Sequence, residues 1–234
     1  MINLILQRFV PLLTTIALLL NNIGLGVVIP YNPVRTDVVV SSDVTTDIDD
    51  VLECYNSAVK KTGFVIGTYS SDTIGTPSAS VQGDNSVDMS YYWDALEDQE
   101  TYIFKVPGEG GILKSDVKSA KMSVKDGKIS VIIKIKDTKR SGNGAEDAIS
   151  RAYGWSYDYG DMFSSLGLTM VSGKITESHT DCTISCVIDE NSGKIIYGDW
   201  DSTGKMVADD LKLSMFGVEI TMDMDFTLTY HYDI

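Results

Sequence analysis

Two hydrophobic periods divide the chain. Between 48 and 59, Ile48, Val51, Leu52, Tyr55 and Val59 recur at helical spacing and form one apolar stripe. Thr46 is the predicted N-cap. Asp47, Asp49 and Asp50 fill the first turn, where the helix dipole favours acids. Lys60 and Lys61 close the last turn and Gly63 ends it. Beyond Gly63 the period falls to two. Strands are predicted over 64–69 and 101–106, with a polar loop over 70–86 and alternation through Val87, Met89, Tyr91 and Trp93. Ala120, Met122 and Val124 alternate into Asp126-Gly127, and Ile129, Val131, Ile133 and Ile135 alternate out of it. Asp-Gly supplies the two positive-φ positions that a two-residue hairpin turn requires.

Residues 138–168 break the β pattern, with short helices expected over 145–153 and 161–166. Strand periodicity then returns. Cys182, Ile184, Cys186 and Ile188 share a face, 189–193 turns the chain, and 194–200 runs back. Leu211, Leu213 and Met215 lead into a Phe216-Gly217 turn. In the last strand Met222, Met224, Phe226, Leu228, Tyr230, Tyr232 and Ile234 take one face. Thr221, Asp223, Asp225, Thr227, Thr229, His231 and Asp233 take the other. Strict alternation of this length requires one buried and one wet face, hence an antiparallel sheet. The expected fold is α+β: a curved antiparallel sheet of roughly seven to ten strands packed on the helix at 47–61, with short helices in a central insertion.

The first thirty residues differ from the rest. Arg8 is their one charge, an apolar run covers 9–20, and a second covers 23–29 after Asn21-Asn22. This is a signal peptide by its n- and h-regions. Alternatively it is an uncleaved anchor, since about 20 apolar residues span a bilayer. Residues 31–46 form a linker with a short strand at 38–40, and 47–234 form a single domain. The expected location is therefore extracytoplasmic, either secreted or at the cell surface.

Charge narrows the partners. Nineteen Lys and Arg against 33 Asp and Glu give a formal net charge of −14. Nucleic-acid binding needs a basic stripe, and an anionic membrane surface attracts basic segments, so neither is expected. Membrane contact is expected only through residues 1–30 if that segment is not cleaved.

Candidate chemistry is sparse. The chain has two histidines, His179 and His231, and none of the common nucleophile, zinc-protease, phosphate-loop or dinucleotide patterns. No enzyme activity and no cofactor are expected. His179-x-x-Cys182-x-x-x-Cys186 carries metal-ligand residue types. On a regular strand, however, residue 179 faces away from 182 and 186, and the cysteines share their face with isoleucines. Cys182 and Cys186 stand about 13 Å apart along a strand, beyond disulfide reach. Cys54 is the third thiol. Asp199, Asp201, Thr203, Gly204 and Asp210 match much of a calcium loop, with Asp where the last position usually holds Glu. A glycine turn between strands needs the same residue types and is the expected reading.

Two apolar or aromatic groups are candidate ligand surfaces. Met222, Met224, Phe226 and Tyr230 give the last strand a soft, adaptable face. Trp155 and Tyr157 lie in a Tyr-rich stretch over 153–159 whose rings carry polar tips. The run 51–59 (VLECYNSAV) followed by two Gly-Lys-Ile turns, at 127–129 and 193–195, resembles extracytoplasmic proteins of Gram-positive anaerobic bacteria. More remotely, the layout over 47–234 is similar to the lipoprotein-carrier superfamily of LolA and LppX type. That resemblance implies a strongly curved sheet wrapped over helices around a cavity for acyl chains. No lipid-anchor cysteine follows the N-terminal segment.

Two functions are expected. The first is a non-enzymatic exported protein that holds an apolar or amphiphilic, lipid-like ligand between sheet and helices. The alternative is a cell-surface structural or protein- or glycan-interaction module with a filled core.

Overall fold

The structure is a computed structural model and describes residues 44–75, 78–81, 85–88, 98–141, 147–154, 159–165 and 167–234. It is built on a large antiparallel sheet with few helices, the coarse class expected from the alternation. The strands are β1 (Val44–Thr45), β2 (Phe64–Gly75), β3 (Ser78–Val81), β4 (Asn85–Asp88), β5 (Asp98–Lys105), β6 (Val117–Lys125) and β7 (Lys128–Ile135). They continue as β8 (Thr138–Ser141), β9 (Thr169–Ser172), β10 (Ile175–Asp189), β11 (Ile195–Met215) and β12 (Val218–Asp233). The main order across the sheet is β1-β6-β7-β10-β11-β12-β2-β5. Beyond that path β8 pairs with β10, β9 with β11, β3 with β12, and β4 with β3. The three long strands β10, β11 and β12 form the centre, and shorter strands share their flanks.

Two tight turns set the register. Asp126 and Gly127, with φ of 51° and 73°, place Lys125 opposite Lys128. Phe216 and Gly217, at 51° and 80°, place Met215 opposite Val218. Both turns stand where the sequence predicts them, because positive φ at two successive positions matches the strand twist.

Helix α1 (Ile48–Thr62) buries Val51, Leu52, Tyr55, Ala58 and Val59, which join one apolar core with the inward residues of the sheet. Its N-cap is Asp47 rather than Thr46: the Asp47 carboxylate accepts from the Asp49 N–H. Gly63 ends the helix with φ of 68°, where a side chain would be strained. The Tyr55 hydroxyl donates to the Pro107 carbonyl at 3.0 Å and accepts from Trp200 Nε1 at 2.9 Å. Trp200 is fully buried, and it fits because position 198 is glycine. A Cβ on Gly198 would run into the Trp200 indole.

Two shorter helices, α2 (Ala148–Tyr153) and α3 (Tyr159–Ser165), form part of the central insertion. Arg151 of α2 forms a bidentate pair with buried Asp116, through Nε at 2.8 Å and Nη2 at 2.6 Å. That pair ties the insertion to the turn preceding β6.

Several boundaries differ from the sequence reading. The expected loop over 70–86 is β2 continuing to Gly75, followed by β3 and β4. The expected separate strands at 194–200 and 211–215 are one strand, β11. Both segments are rich in Ser, Thr, Asp and Gly, so their strand state comes from paired neighbours rather than local preference. The expected strand at 87–93 lies outside the described residues beyond Asp88, as do the N-terminal segment 1–30 and most of the linker. Among the described residues no helix is long and apolar enough to cross a membrane.

Bulges interrupt the central strands, two of them at positive-φ aspartates. Between Thr180 and Thr183, β10 carries one residue more than β11, with Asp181 at φ of 55°. Between Ala208 and Leu211, β11 carries one more than β12, with Asp210 at φ of 49°. An extra residue bends its strand and inverts the alternation beyond it.

Candidate functional site

The inversion at Asp181 corrects the predicted facing of His179. Glu177 and His179 point inward before the bulge, and Cys182, Ile184 and Cys186 point inward after it. His179 and Cys182 therefore share the buried face, which strict period-two counting excluded. They belong to a buried hydrogen-bonded chain. His179 Nε2 lies 2.6 Å from Glu177 Oε1, and His179 Nδ1 lies 3.3 Å from Ser202 Oγ. Ser202 Oγ is in turn 3.2 Å from Cys182 Sγ. Glu177 Oε2 accepts from the Tyr159 hydroxyl of α3 at 2.6 Å and from Arg140 Nε at 2.9 Å. Arg140 stands directly opposite Glu177 in the β8–β10 register.

Burial alone would raise the Glu177 carboxyl. The His179 contact, the Arg140 charge and the Tyr159 hydroxyl outweigh it and hold the group at about 2. Burial pushes the Cys182 thiol up to about 11 and raises Cys186 further, so both rest as protonated thiols at neutral pH. Ser202, His179 and Glu177 stand in the order of a nucleophilic triad. Their exposures are 2%, 0% and 4%, so the group lies inside the fold and presents no open face to solvent. Sequence reading missed Glu177, Ser202 and Arg140; the one local signal was Asp181, a residue type that tolerates positive φ.

On the outer face, ligand-type side chains converge where solvent reaches them. In the β11–β12 register Asp201 faces His231 and Asp199 faces Asp233. His231 Nδ1 lies 2.7 Å from Asp201 Oδ1 and 3.1 Å from Asp199 Oδ1. The Tyr197 hydroxyl donates to Asp199 Oδ2 at 3.4 Å. Partial burial and the neighbouring Asp201 and Asp233 charges raise the Asp199 carboxyl, with His231 opposing them. The Asp201 hydrogen bond and the surrounding carboxylates raise His231, against partial burial. Further along the face Lys205 pairs with Asp225 at 3.1 Å, and Lys212 with Glu219 at 3.7 Å.

The calcium loop is not formed. Asp199, Asp201 and Thr203 lie on the outer face of one continuous strand. Asp210, at the distal bulge, lies roughly 35 Å along it from Asp199 at about 3.3 Å per residue. The Asp210 N–H is bonded to Asp223 instead. Asp199 and Asp201 stay together, and their third partner comes from β12, which a linear loop motif could not reveal.

Of the expected ligand face, Met222, Met224 and Phe226 point inward at 3%, 7% and 0% exposure and belong to the continuous core. The Tyr230 backbone continues that alternation opposite Ser202. Trp155 and Tyr157 lie outside the described residues.

Compared with known proteins, the chain matches no family model, no curated protein and no solved structure.

Proposed function

We propose that this protein is an exported, non-enzymatic interaction module with a filled core, and that it engages a cationic ligand or partner through the outer face of β11 and β12. The carrying observation is the group at one end of that face, where Asp199, Asp201 and Asp233 gather around a single imidazole. A carboxylate raised by burial and then by its own acidic neighbours is disfavoured in the free state and relieved when a cation arrives. The net charge of −14 acts in the same direction by steering cations toward the surface. Export is supported by the n- and h-regions of residues 1–30.

The finer layout proposed is a bent sheet wrapped over α1, supported by the bulges at Asp181 and Asp210 and by the Tyr55–Trp200 contact. The lipid-carrier reading needs room beside Met222, Met224 and Phe226, and the burial of all three favours the filled core. Two measurements test the choice. Native mass spectrometry of protein purified without detergent should give a bare mass; a lipid adduct would favour the carrier. Protein sedimented with an isolated cell-envelope fraction should lose that association in high salt and in the triple variant D199N/D201N/D233N. Sedimentation unchanged by both would sink the proposal.

A further inference from the structure

We propose that Asp199, Asp201 and His231 form a binding site for a divalent first-row transition ion, for which Zn²⁺ is the best-matched probe. This rests on the reading of the outer face as the binding surface and names a ligand for it.

The donor atoms already converge. One ligand atom from each of the three residues lies within 4.8 Å of the others. They come from two adjacent strands paired on both sides, so the ladder rather than a loop holds them. Around a tetrahedral ion with bonds near 2.0 Å, neighbouring ligand atoms stand about 3.3 Å apart. The imidazole-to-carboxylate separations of 2.7 and 3.1 Å need to open only slightly. A proton on Nδ1 now joins these groups. The ion takes its place, and the proton leaves to solvent.

A second observation is independent of the count of acids. Asp199 Oδ1 is buried and faces His231 Nδ1 at 3.1 Å, but the Nδ1 hydrogen bond goes to Asp201 Oδ1 at 2.7 Å instead. A desolvated carboxylate oxygen whose one facing donor is turned to a neighbour is poorly solvated, and a bound cation removes that cost. The ligand set also selects the ion. Calcium and magnesium take oxygen ligands, whereas an imidazole nitrogen beside two carboxylates suits zinc and its neighbours. Three protein ligands leave a position open on the solvent side, which water or a donor from a partner can fill.

The test uses the full chain without a polyhistidine tag, stripped with chelator and titrated with Zn²⁺ by calorimetry. One saturable site is expected. H231Q, D201N and D199N should each weaken it by at least roughly tenfold, the lower end of what even an outer-shell loss costs. D199N relieves like-charge crowding, so it should keep the wild-type circular dichroism and melting profile and report on binding alone. Co²⁺ in place of zinc should give a spectrum without the near-ultraviolet thiolate band; that band would put the ion on a cysteine and overturn the assignment. No saturable site in the wild type, or an affinity unchanged in all three variants, overturns it as well. Envelope association lost in the acidic-face variant while the wild type takes no Zn²⁺ would overturn the metal site and leave the acidic-face reading standing. Zn²⁺ binding without any envelope association would do the reverse.

Discussion

Replacing Glu177 with Gln tests what holds the central insertion to the sheet. The side chain keeps its shape and loses its charge, while Arg140 stays in a side-chain environment only 10% exposed. Two routes give the size of the loss. Removing one partner of a buried pair costs about 3–5 kcal/mol when the remaining charge is left uncompensated, and Asp147 Oδ2, 3.7 Å from Arg140 Nη1, holds the loss to the lower end. Independently, a carboxyl held at about 2 rather than the ordinary 4.5 contributes ~3 kcal/mol at neutral pH. Because the folded value is the lower one, this contribution is fully present above about pH 4.5. It disappears as pH falls toward 2. Urea unfolding of wild type and E177Q at pH 7, 5, 4 and 3 should show a gap of about 3 kcal/mol at pH 7 and 5 that narrows below. Asp116 is also lowered, by Arg151 and the Leu113 N–H acting against burial, but it is common to both proteins and cancels in the difference. A gap under about 1 kcal/mol at pH 7, or one that stays constant down to pH 3, would refute the buried-pair account.

Gly198→Ala places a methyl group inside the Trp200 ring and should lower stability by about 1–3 kcal/mol or more, read as an earlier urea midpoint with a weakened near-ultraviolet signal. Tyr55→Phe leaves both the Trp200 indole N–H and the Pro107 carbonyl without the hydroxyl and should cost about 1–3 kcal/mol in the same assay. In native protein at pH 8 an aromatic disulfide reagent should label Cys54 at most, because burial raises Cys182 and Cys186 more; denaturant should release all three thiols. Gly127→Ala should cost about 1 kcal/mol, since the turn needs φ of 73° there and no neighbouring atom stands within 4 Å to add a clash.

The elements legible in the sequence are those whose information is local. Helix α1 shows its stripe, its acidic first turn and its closing glycine within one segment. The turns at Asp126-Gly127 and Phe216-Gly217 carry their own backbone requirement. The last strand alternates without interruption from 221 onward. By contrast, 201–210 contains Ser, Thr, Gly, Lys and three acids, and by propensity it reads as a loop. It is a strand because β12 pairs along it and β10 covers all but its end. The same non-local cause hid the candidate site. Asp199 and Asp201 stood out as a pair, but the imidazole beside them is contributed from thirty residues away and becomes visible only with the β11–β12 register.

One extra residue explains the remaining error. Along a regular strand His179 and Cys182 must face opposite ways, and that parity argument is sound until a bulge intervenes. At Asp181 it does, and every inward position shifts from odd to even. The shift lets β10 bury Glu177 and His179 beneath the insertion and then Cys182, Ile184 and Cys186 in the apolar core. β11 then supplies Ser202 inward and Asp201 outward from adjacent positions. The two clusters therefore sit back to back across a single strand, joined where the Tyr153 hydroxyl of α2 donates to the Asp201 carbonyl at 2.5 Å. The inner cluster fixes the backbone of 201–202 with buried hydrogen bonds. The outer one presents its carboxylates and imidazole from that fixed backbone, which is the arrangement that holds ligand atoms at set distances before any ligand arrives.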